Sequence, residues 1–501
     1  MPQHLLERHG ARVLNPVNAL VSAAPFTAPR STVYRTGALL IPNEVLLRQE
    51  NIRSINDVLE RIDLEMVPPR GESFERFSRL PRPVPLRVRE KANGPTQVDS
   101  WLALQELRTA GNKGSLSRTV TDRISVEHLL FATVDIGGTP WEASGAPGGG
   151  GYVRTGTTGR IPVSLAVPAP PRREVDRRPV VAVLDTGIGP HPWFGFTDRT
   201  APPPAGGFIR VFPQLQEAIR LQELETATTT PTRILHSFWD EPGTDNPLIG
   251  ELDRNTGHGT FIAGIVRQSA PEADVLSIRV LHSDGIAYES DVLLALWTLV
   301  ARVQQAQQDG KLDDMVDVVS LSLGYFDESG TPFTTHLVQA IDELRKLGVL
   351  VVAAAGNDAT TRRFYPAALA DRPLEPGHAP QVISVGALNP SNTKALFSNE
   401  ASWVRCWATG AGVVSTYPID VRGSATATNL PAVDRGALDP DDYQSGFAVW
   451  DGTSFAAPLA AATLTSQLIA CAEQDATLGL KAIEQGVAVK RALAALQKAG
   501  G

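Results

Sequence analysis

Beyond residue 179, short apolar runs alternate with amphipathic stretches, and this alternation limits the fold more than any other feature of the chain. The strand-like runs are Val180–Leu184, Val275–Val280, Val316–Leu323, Val349–Ala354 and Val382–Val385. Helical patterns lie between them, over Gly259–Arg267, Asp291–Gln307 and His336–Leu347. Apolar strands separated by helices predict an α/β fold, a mainly parallel sheet covered by helices on both faces. In such sheets ligands sit beyond the carboxyl ends of the strands. Polar residues at those ends are therefore the candidates for chemistry.

Four stand out. Asp185 closes the first run, where a carboxylate is costly unless paired or hydrogen-bonded, although capping the next turn would also explain it. His258 sits in Asn255-Thr256-Gly257-His258-Gly259-Thr260, just ahead of a helical pattern. Its flanking glycines admit a backbone or substrate at close range; a structural turn histidine is the plainer reading. Asn357 ends the Val349–Ala354 run through Ala355-Gly356, either as a turn residue or as an N–H donor to developing negative charge. Finally, Asp451-Gly452-Thr453-Ser454-Phe455-Ala456-Ala457-Pro458 delivers a serine to the start of a helix predicted over Phe455–Ala470. An N–H there has no partner within the helix and can bond an oxyanion; Thr453 or Ser454 as a simple N-cap fits the stretch equally well. Pro458 removes one donor near the helix start and loosens that turn. Together the four supply acyl transfer: an alcohol that needs a base, an imidazole to act as that base, an anion to orient it, and an oxyanion donor.

These stretches resemble the subtilisin family of serine proteases, whose chain order is likewise Asp, His, Ser. The resemblance rests on Val183-Leu184-Asp185-Thr186-Gly187-Ile188, Gly257-His258-Gly259-Thr260, Ala354-Ala355-Gly356-Asn357 and Gly452-Thr453-Ser454-Phe455-Ala456-Ala457-Pro458. It implies a serine endopeptidase in which Asp185 orients, His258 is base then acid, Ser454 attacks, and Asn357 with the Ser454 N–H holds the oxyanion. It also implies substrate-pairing edges at Asp284-Gly285 and Ser322-Leu323-Gly324, with Ala355 and Gly356 beside Asn357. Phe364 would floor a shallow first specificity pocket favouring small or medium side chains, and Tyr325 would narrow the cleft. No cofactor is required. Relatives often bind calcium, but no calcium loop is recognisable here, and Asp240, Asp245 and Asp253 read as loop residues.

Upstream, elements follow in the order β-α-β-β-α-β: Val33–Ile41, Ser54–Ile62, Leu64–Val67, Val84–Val88, Gln97–Ala110 and Glu127–Val134, the order of a small ferredoxin-like α+β domain. Its position resembles the family's propeptide, implying an intramolecular inhibitor and a zymogen. The chain thus divides into a tail (1–30), this domain (31–136), a linker (137–178) marked by Gly148-Gly149-Gly150-Gly151 and Pro168-Ala169-Pro170-Pro171, and a peptidase domain (179–501). That domain carries insertions near 200–250, including a helix over Leu215–Leu224 and an added surface subdomain, and near 418–443. Arg70, Arg76, Arg79, Arg82, Arg87 and Arg89, with Glu72 and Glu75 among them, read as a solvated face.

A formal net charge of −8 offers no basic field for nucleic acid, leaving protein or peptide substrates and the N-terminal domain as partners. Cys406 and Cys471 are too few for a disulfide framework, and no Cys/His spacing suits structural zinc. The N-terminus lacks a signal peptide's pattern and no uninterrupted 18-residue apolar run occurs, so no membrane span and a cytoplasmic location are expected. His258 and Asn357 argue against a sedolisin-type site, which uses Glu and Asp. An aspartic protease would leave His258 and Ser454 unexplained. Pro190 breaks the nucleotide fingerprint begun by Gly187-Ile188-Gly189. A catalytically silent binding protein on the same fold is the remaining alternative.

Overall fold

The computed structural model describes residues 3–19, 28–67, 79–92, 97–133, 160–227, 233–246, 251–329, 335–372, 379–422 and 443–500. The glycine run at 148–151, Arg70, Arg76, Glu72 and Glu75, and most of the 418–443 insertion lie outside them.

The chain opens with α1 (Gln3–Arg8) and β1 (Ala11–Val13), then β2 (Val33–Pro42), α2 (Asn43–Leu46), α3 (Gln49–Leu59) and β3 (Leu64–Met66). There follow β4 (Pro81–Val88), α4 (Ser100–Asn112), α5 (Arg118–Thr121) and β5 (Ser125–Ala132). The strands pair antiparallel in the order β5-β2-β4-β3. Ile55, Val58 and Leu59 of α3 and Leu104 and Leu107 of α4 bury against Leu39, Val84 and Val126 of the strands. The Asp99 side chain caps α4 by accepting from Trp101 N at 2.9 Å. Residues 3–13 show no legible period, yet they form α1 and β1. A six-residue helix is too short to print a repeat and is held from outside. Leu5 and Leu6 pack on Leu129, Ile286 and Tyr288, while β1 pairs with β2.

The second unit comprises β6 (Ile161–Pro162), β7 (Val180–Asp185), β8 (Ile209–Val211), α6 (Pro213–Thr226), β9 (Thr244–Asn246), β10 (Glu251–Leu252), α7 (His258–Ser269), β11 (Asp274–Arg279), β12 (Ile286–Tyr288) and α8 (Glu289–Asp309). It continues through β13 (Val318–Leu321), β14 (Leu323–Gly324), α9 (Leu337–Lys346), β15 (Leu350–Ala354), β16 (Ile383–Leu388), β17 (Cys406–Thr409), β18 (Val413–Thr416), β19 (Phe447–Trp450), α10 (Thr453–Gln474) and α11 (Gln485–Ala499).

Among the described residues one seven-stranded sheet, wholly parallel, runs β17-β16-β15-β13-β7-β11-β8. Alternation along each strand feeds two cores. Val181, Val183, Val318 and Val352 face the helices α7 and α10, while Ala182, Leu184, Val319 and Val351 face α8 and α9. This is the expected three-layer α/β arrangement. The expected surface subdomain in the insertion is instead partly structural. Its β8 adds an edge strand to the parallel sheet, and its α6 packs on α8 and β4, because the amphipathic face of α6 finds apolar cover there. Among the described residues α10 alone is long and apolar enough to suit a bilayer, but most of its apolar window is buried inside the protein.

Candidate active site

Asp185, His258 and Ser454 come from the end of β7, the start of α7 and the start of α10, all at the same end of the parallel sheet. His258 Nδ1 lies 2.7 Å from Asp185 Oδ1, which also accepts from Thr186 N at 2.7 Å. Both side chains are buried. Gly259 makes this approach available: a Cβ there would fall 2.2 Å from Gly187 O, so any side chain would push α7 off the strand end. Behind the pair, Thr186 Oγ1 accepts from Gly259 N at 2.9 Å and donates to Asp240 Oδ2 at 2.9 Å. Burial pushes the Asp240 carboxyl up to about 6, against Arg199 and Arg279, which pull it down. The imidazole packs edge-on against Trp450 and beside Phe455, and its Nε2 has no hydrogen-bond partner among the described residues. Nε2 is thus the nitrogen left for proton transfer.

Ser454 is the second residue of α10, and its hydroxyl is already engaged. Its Oγ lies 2.7 Å from Thr133 Oγ1 and donates to Ser322 O at 3.4 Å. Its N–H donates to Thr133 O at 3.3 Å. Asn357 Nδ2 donates to that same oxygen. The asparagine is aimed by Thr453, whose N and Oγ1 both donate to Asn357 Oδ1, at 3.0 and 2.8 Å. Two donors from separate elements therefore converge on one peptide carbonyl, that of Thr133. Gly452 leaves room for it, since a Cβ there would stand 2.8 Å from Thr133 O.

Pro458 explains a further contact. Within α10 it withdraws the N–H that would bond the carbonyl four residues back, which belongs to Ser454. Ser322 Oγ supplies the missing donor, at 2.9 Å from Ser454 O. The buried carbonyl of Ser454 is satisfied from β13's exit rather than from the helix.

Thr133 sits here because β5 belongs to two assemblies. Residues 125, 126, 127 and 128 pair with β2 inside the N-terminal sheet. Leu129, Leu130 and Phe131 then pair antiparallel with Tyr288, Ala287 and Ile286, while Phe131 and Ala132 pair with Gly324 and Leu323 on the other side. Ala132 N donates to Gly285 O at 2.8 Å and Thr133 N to Ser322 O at 3.0 Å. This is strand addition between two edges, with a peptide carbonyl delivered to the serine.

The structure thus brings Gly285, Ser322, Leu323 and Gly324 to the backbone of β5. Ala355 and Gly356 lie beneath, Gly356 N donating to Thr453 Oγ1 at 3.1 Å. Phe364 packs under Gly324 and Gly356, where Cβ atoms would meet its ring at 2.4 and 3.3 Å, and makes an edge contact with Phe326. The Asp284 side chain takes no part in this backbone pairing. Its carboxylate turns to Arg8 Nη1 at 2.9 Å and His9 Nε2 at 3.0 Å, because the N-terminal segment brings a guanidinium and an imidazole to it. Tyr325 likewise does not narrow the cleft beside Ser454; its ring stacks on His128 at 4.5 Å and its hydroxyl reaches Thr335 and Glu289. Sequence reasoning missed Thr133, which no motif marks, and the Ser322 hydroxyl, which the unpaired carbonyl implied by Pro458 could have signalled.

The family model described as the subtilase family matches residues 176–473. Subtilisin DY of Bacillus licheniformis is 31% identical over 183 residues, covering 35% of this chain and 58% of that protein. Thermitase of Thermoactinomyces vulgaris is 32% identical over 186 residues, covering 35% and 56%. The major intracellular serine protease of Bacillus subtilis (strain 168) is 28% identical over 210 residues, covering 39% and 57%. The chain spans little more than half the length of these relatives.

Proposed function

The chain belongs to the subtilase family, and from that premise we propose that it is a serine endopeptidase working through an acyl-enzyme, made as a zymogen that its own N-terminal domain holds shut. The observation that carries the reading is the Thr133 carbonyl, bonded at once by Asn357 Nδ2 and Ser454 N while its strand is paired on both sides. That is how a scissile peptide must lie for its oxygen to be stabilised as it becomes an anion.

In the proposed reaction Ser454 Oγ turns from Thr133 Oγ1 to His258 Nε2 and gives up its proton as it bonds the carbonyl carbon. Asp185 stabilises the imidazolium on the Nδ1 side. The tetrahedral oxyanion rests on Asn357 and the Ser454 N–H. The C–N bond then breaks and His258 returns the proton to the departing amine. Water, activated by the same imidazole, cleaves the ester and frees Ser454. Applied to the chain itself, the bond is Thr133–Val134, and cleavage leaves β5 as a bound product until it dissociates. Peptide substrates would follow the same edges, and Phe364 beneath Gly324 favours small or medium residues such as threonine at the acyl position.

Wild type and Ser454→Ala are incubated, new termini are mapped by mass spectrometry, and both are treated with a fluorophosphonate probe. A terminus at Thr133 and a labelled Ser454 in wild type alone are expected. A folded wild type that forms no new terminus, and takes no label even after cleavage of the 134–159 segment by an added protease, overturns the proposal in favour of a silent binding protein.

A further inference from the structure

We propose that His128, Asp327 and Glu328 form a site for a divalent transition-metal ion, with zinc the best-fitting case, that staples β5 to the peptidase domain. His128 lies on β5 five residues before Thr133, whereas Asp327 and Glu328 follow β14 in the other unit. One ligand atom from each of the three lies within 4.8 Å of the others. His128 and Glu328 are buried, and Asp327 is half-buried.

The imidazole is set up as a ligand. Its Nδ1 lies 2.6 Å from Glu289 Oε2, and its Nε2 points at Glu328 Oε2, 2.7 Å away. A histidine whose second nitrogen is held by a carboxylate is the usual outer support of a metal-bound imidazole, since it fixes tautomer and ring orientation. Stacking on Tyr325 at 4.5 Å locks the ring plane as well. Donors on a tetrahedral zinc, at about 2.0–2.1 Å from the ion, stand about 3.3 Å apart. Entry of the ion would therefore widen the Nε2–Oε2 gap by only about 0.6 Å, well within the 4.8 Å envelope. One nitrogen and two carboxylates with a position left for water is a donor set that zinc accepts.

Carboxylates crowd this imidazole. Glu289, Asp327 and Glu328 converge on a single imidazole. The nearby Arg362 points its Nη2 at backbone carbonyls, those of Ser31 and Asp327, at 2.6 and 2.9 Å. Arg362 and Arg108 also lie close enough to act on these carboxylates, so the donor geometry carries the site. On binding, the ion takes the place between Nε2 and Glu328, and any proton there passes to solvent. Because its ligands come from both units, the ion would hold β5 in the cleft. That consequence, unlike the metal site itself, rests on the zymogen reading.

The test uses full-length Ser454→Ala, in which no cleavage intervenes. Zinc chloride is titrated calorimetrically, with magnesium as control, into this protein and into its Asp327→Asn and Glu328→Gln derivatives. Both replacements keep side-chain shape. One saturable zinc site is expected, weakened at least about ten-fold by either replacement, the lower end of the usual loss when even outer-shell support is removed. Absence of saturable zinc binding, or equal affinity in all three proteins, overturns the site. Hydrogen exchange then reads the staple without reference to activity. Amides of residues 126–132 should exchange more slowly with zinc in Ser454→Ala and not in Asp327→Asn. Zinc that binds without slowing them overturns the staple, whatever the outcome for peptidase activity.

Discussion

Removing the Ser322 hydroxyl tests how the Ser454 peptide is held. In Ser322→Ala the Ser454 carbonyl loses its 2.9 Å donor, and Pro458 can offer no replacement from within α10. A buried acceptor left unpaired costs about 1–3 kcal/mol. In a Pro458→Ala background residue 458 regains an N–H placed to bond the carbonyl four residues back, so the same deletion should cost under about 0.5 kcal/mol. The four proteins are made in the Ser454→Ala background, which keeps the carbonyl and abolishes autolysis, and are unfolded in urea. The predicted coupling between positions 322 and 458 is thus about 0.5–3 kcal/mol. Equal losses from Ser322→Ala in both backgrounds would refute the reasoning and show that the hydroxyl matters for some other contact.

Three further outcomes follow from the geometry. Asn357→Ala should lower kcat on a peptide substrate by about 10²–10³ with little change in KM, because its bond to the oxyanion strengthens in the transition state; a change confined to KM would contradict this. Gly452→Ala, whose Cβ would stand 2.8 Å from Thr133 O, should speed amide exchange across residues 126–133 in the Ser454→Ala protein, and unaltered exchange would mean the carbonyl is not seated there. Burial lowers the His191 pKa from its ordinary 6.5 to about 4, so the unfolded chain takes up a proton that the folded one refuses, and stability falls as pH drops from about 6.5 to 4. That loss is on the order of 3 kcal/mol. His191→Asn, which keeps an acceptor for Trp193 N, should flatten it; an unchanged slope would acquit His191.

The fold and the four polar candidates were legible because each is announced locally. Val180–Leu184 reads as a buried strand whatever surrounds it, and Asp185 is conspicuous at its end. The same locality hid other features. β4 begins at Pro81, ahead of its legible stretch at Val84, because three prolines at alternate positions disguise a buried strand. α1 and β1 carry too few residues to show a period and exist through contacts with Ile286 and Tyr288. β8 is three residues long and gains its identity only by lying beside β11. Within the site, the motifs identified the Asp185–His258 pair and the placing of Asn357 beside Ser454, but not the groups that Asn357 and Ser454 bond. Thr133 is one threonine in an unmarked segment, and Asp284 turned to Arg8 because a distant segment reached it first. His128, Asp327 and Glu328 lie some 200 positions apart in the chain, beyond any spacing rule.

β5 is a single continuous strand whose first half is fastened to β2 and whose second half is fastened to β12 and β14. A rod clamped at both ends cannot slip at one without strain at the other. Residence of Thr133 in the cleft is therefore tied to the integrity of a small hydrophobic core far from Ser454, where Val126 packs on Leu39 and Val84. Warmth, denaturant or a nick that melts that core would slacken the far clamp first and leave only residues 129–133 gripped, so the proposed closed state would owe its sensitivity to its surroundings to the smaller unit rather than to the larger.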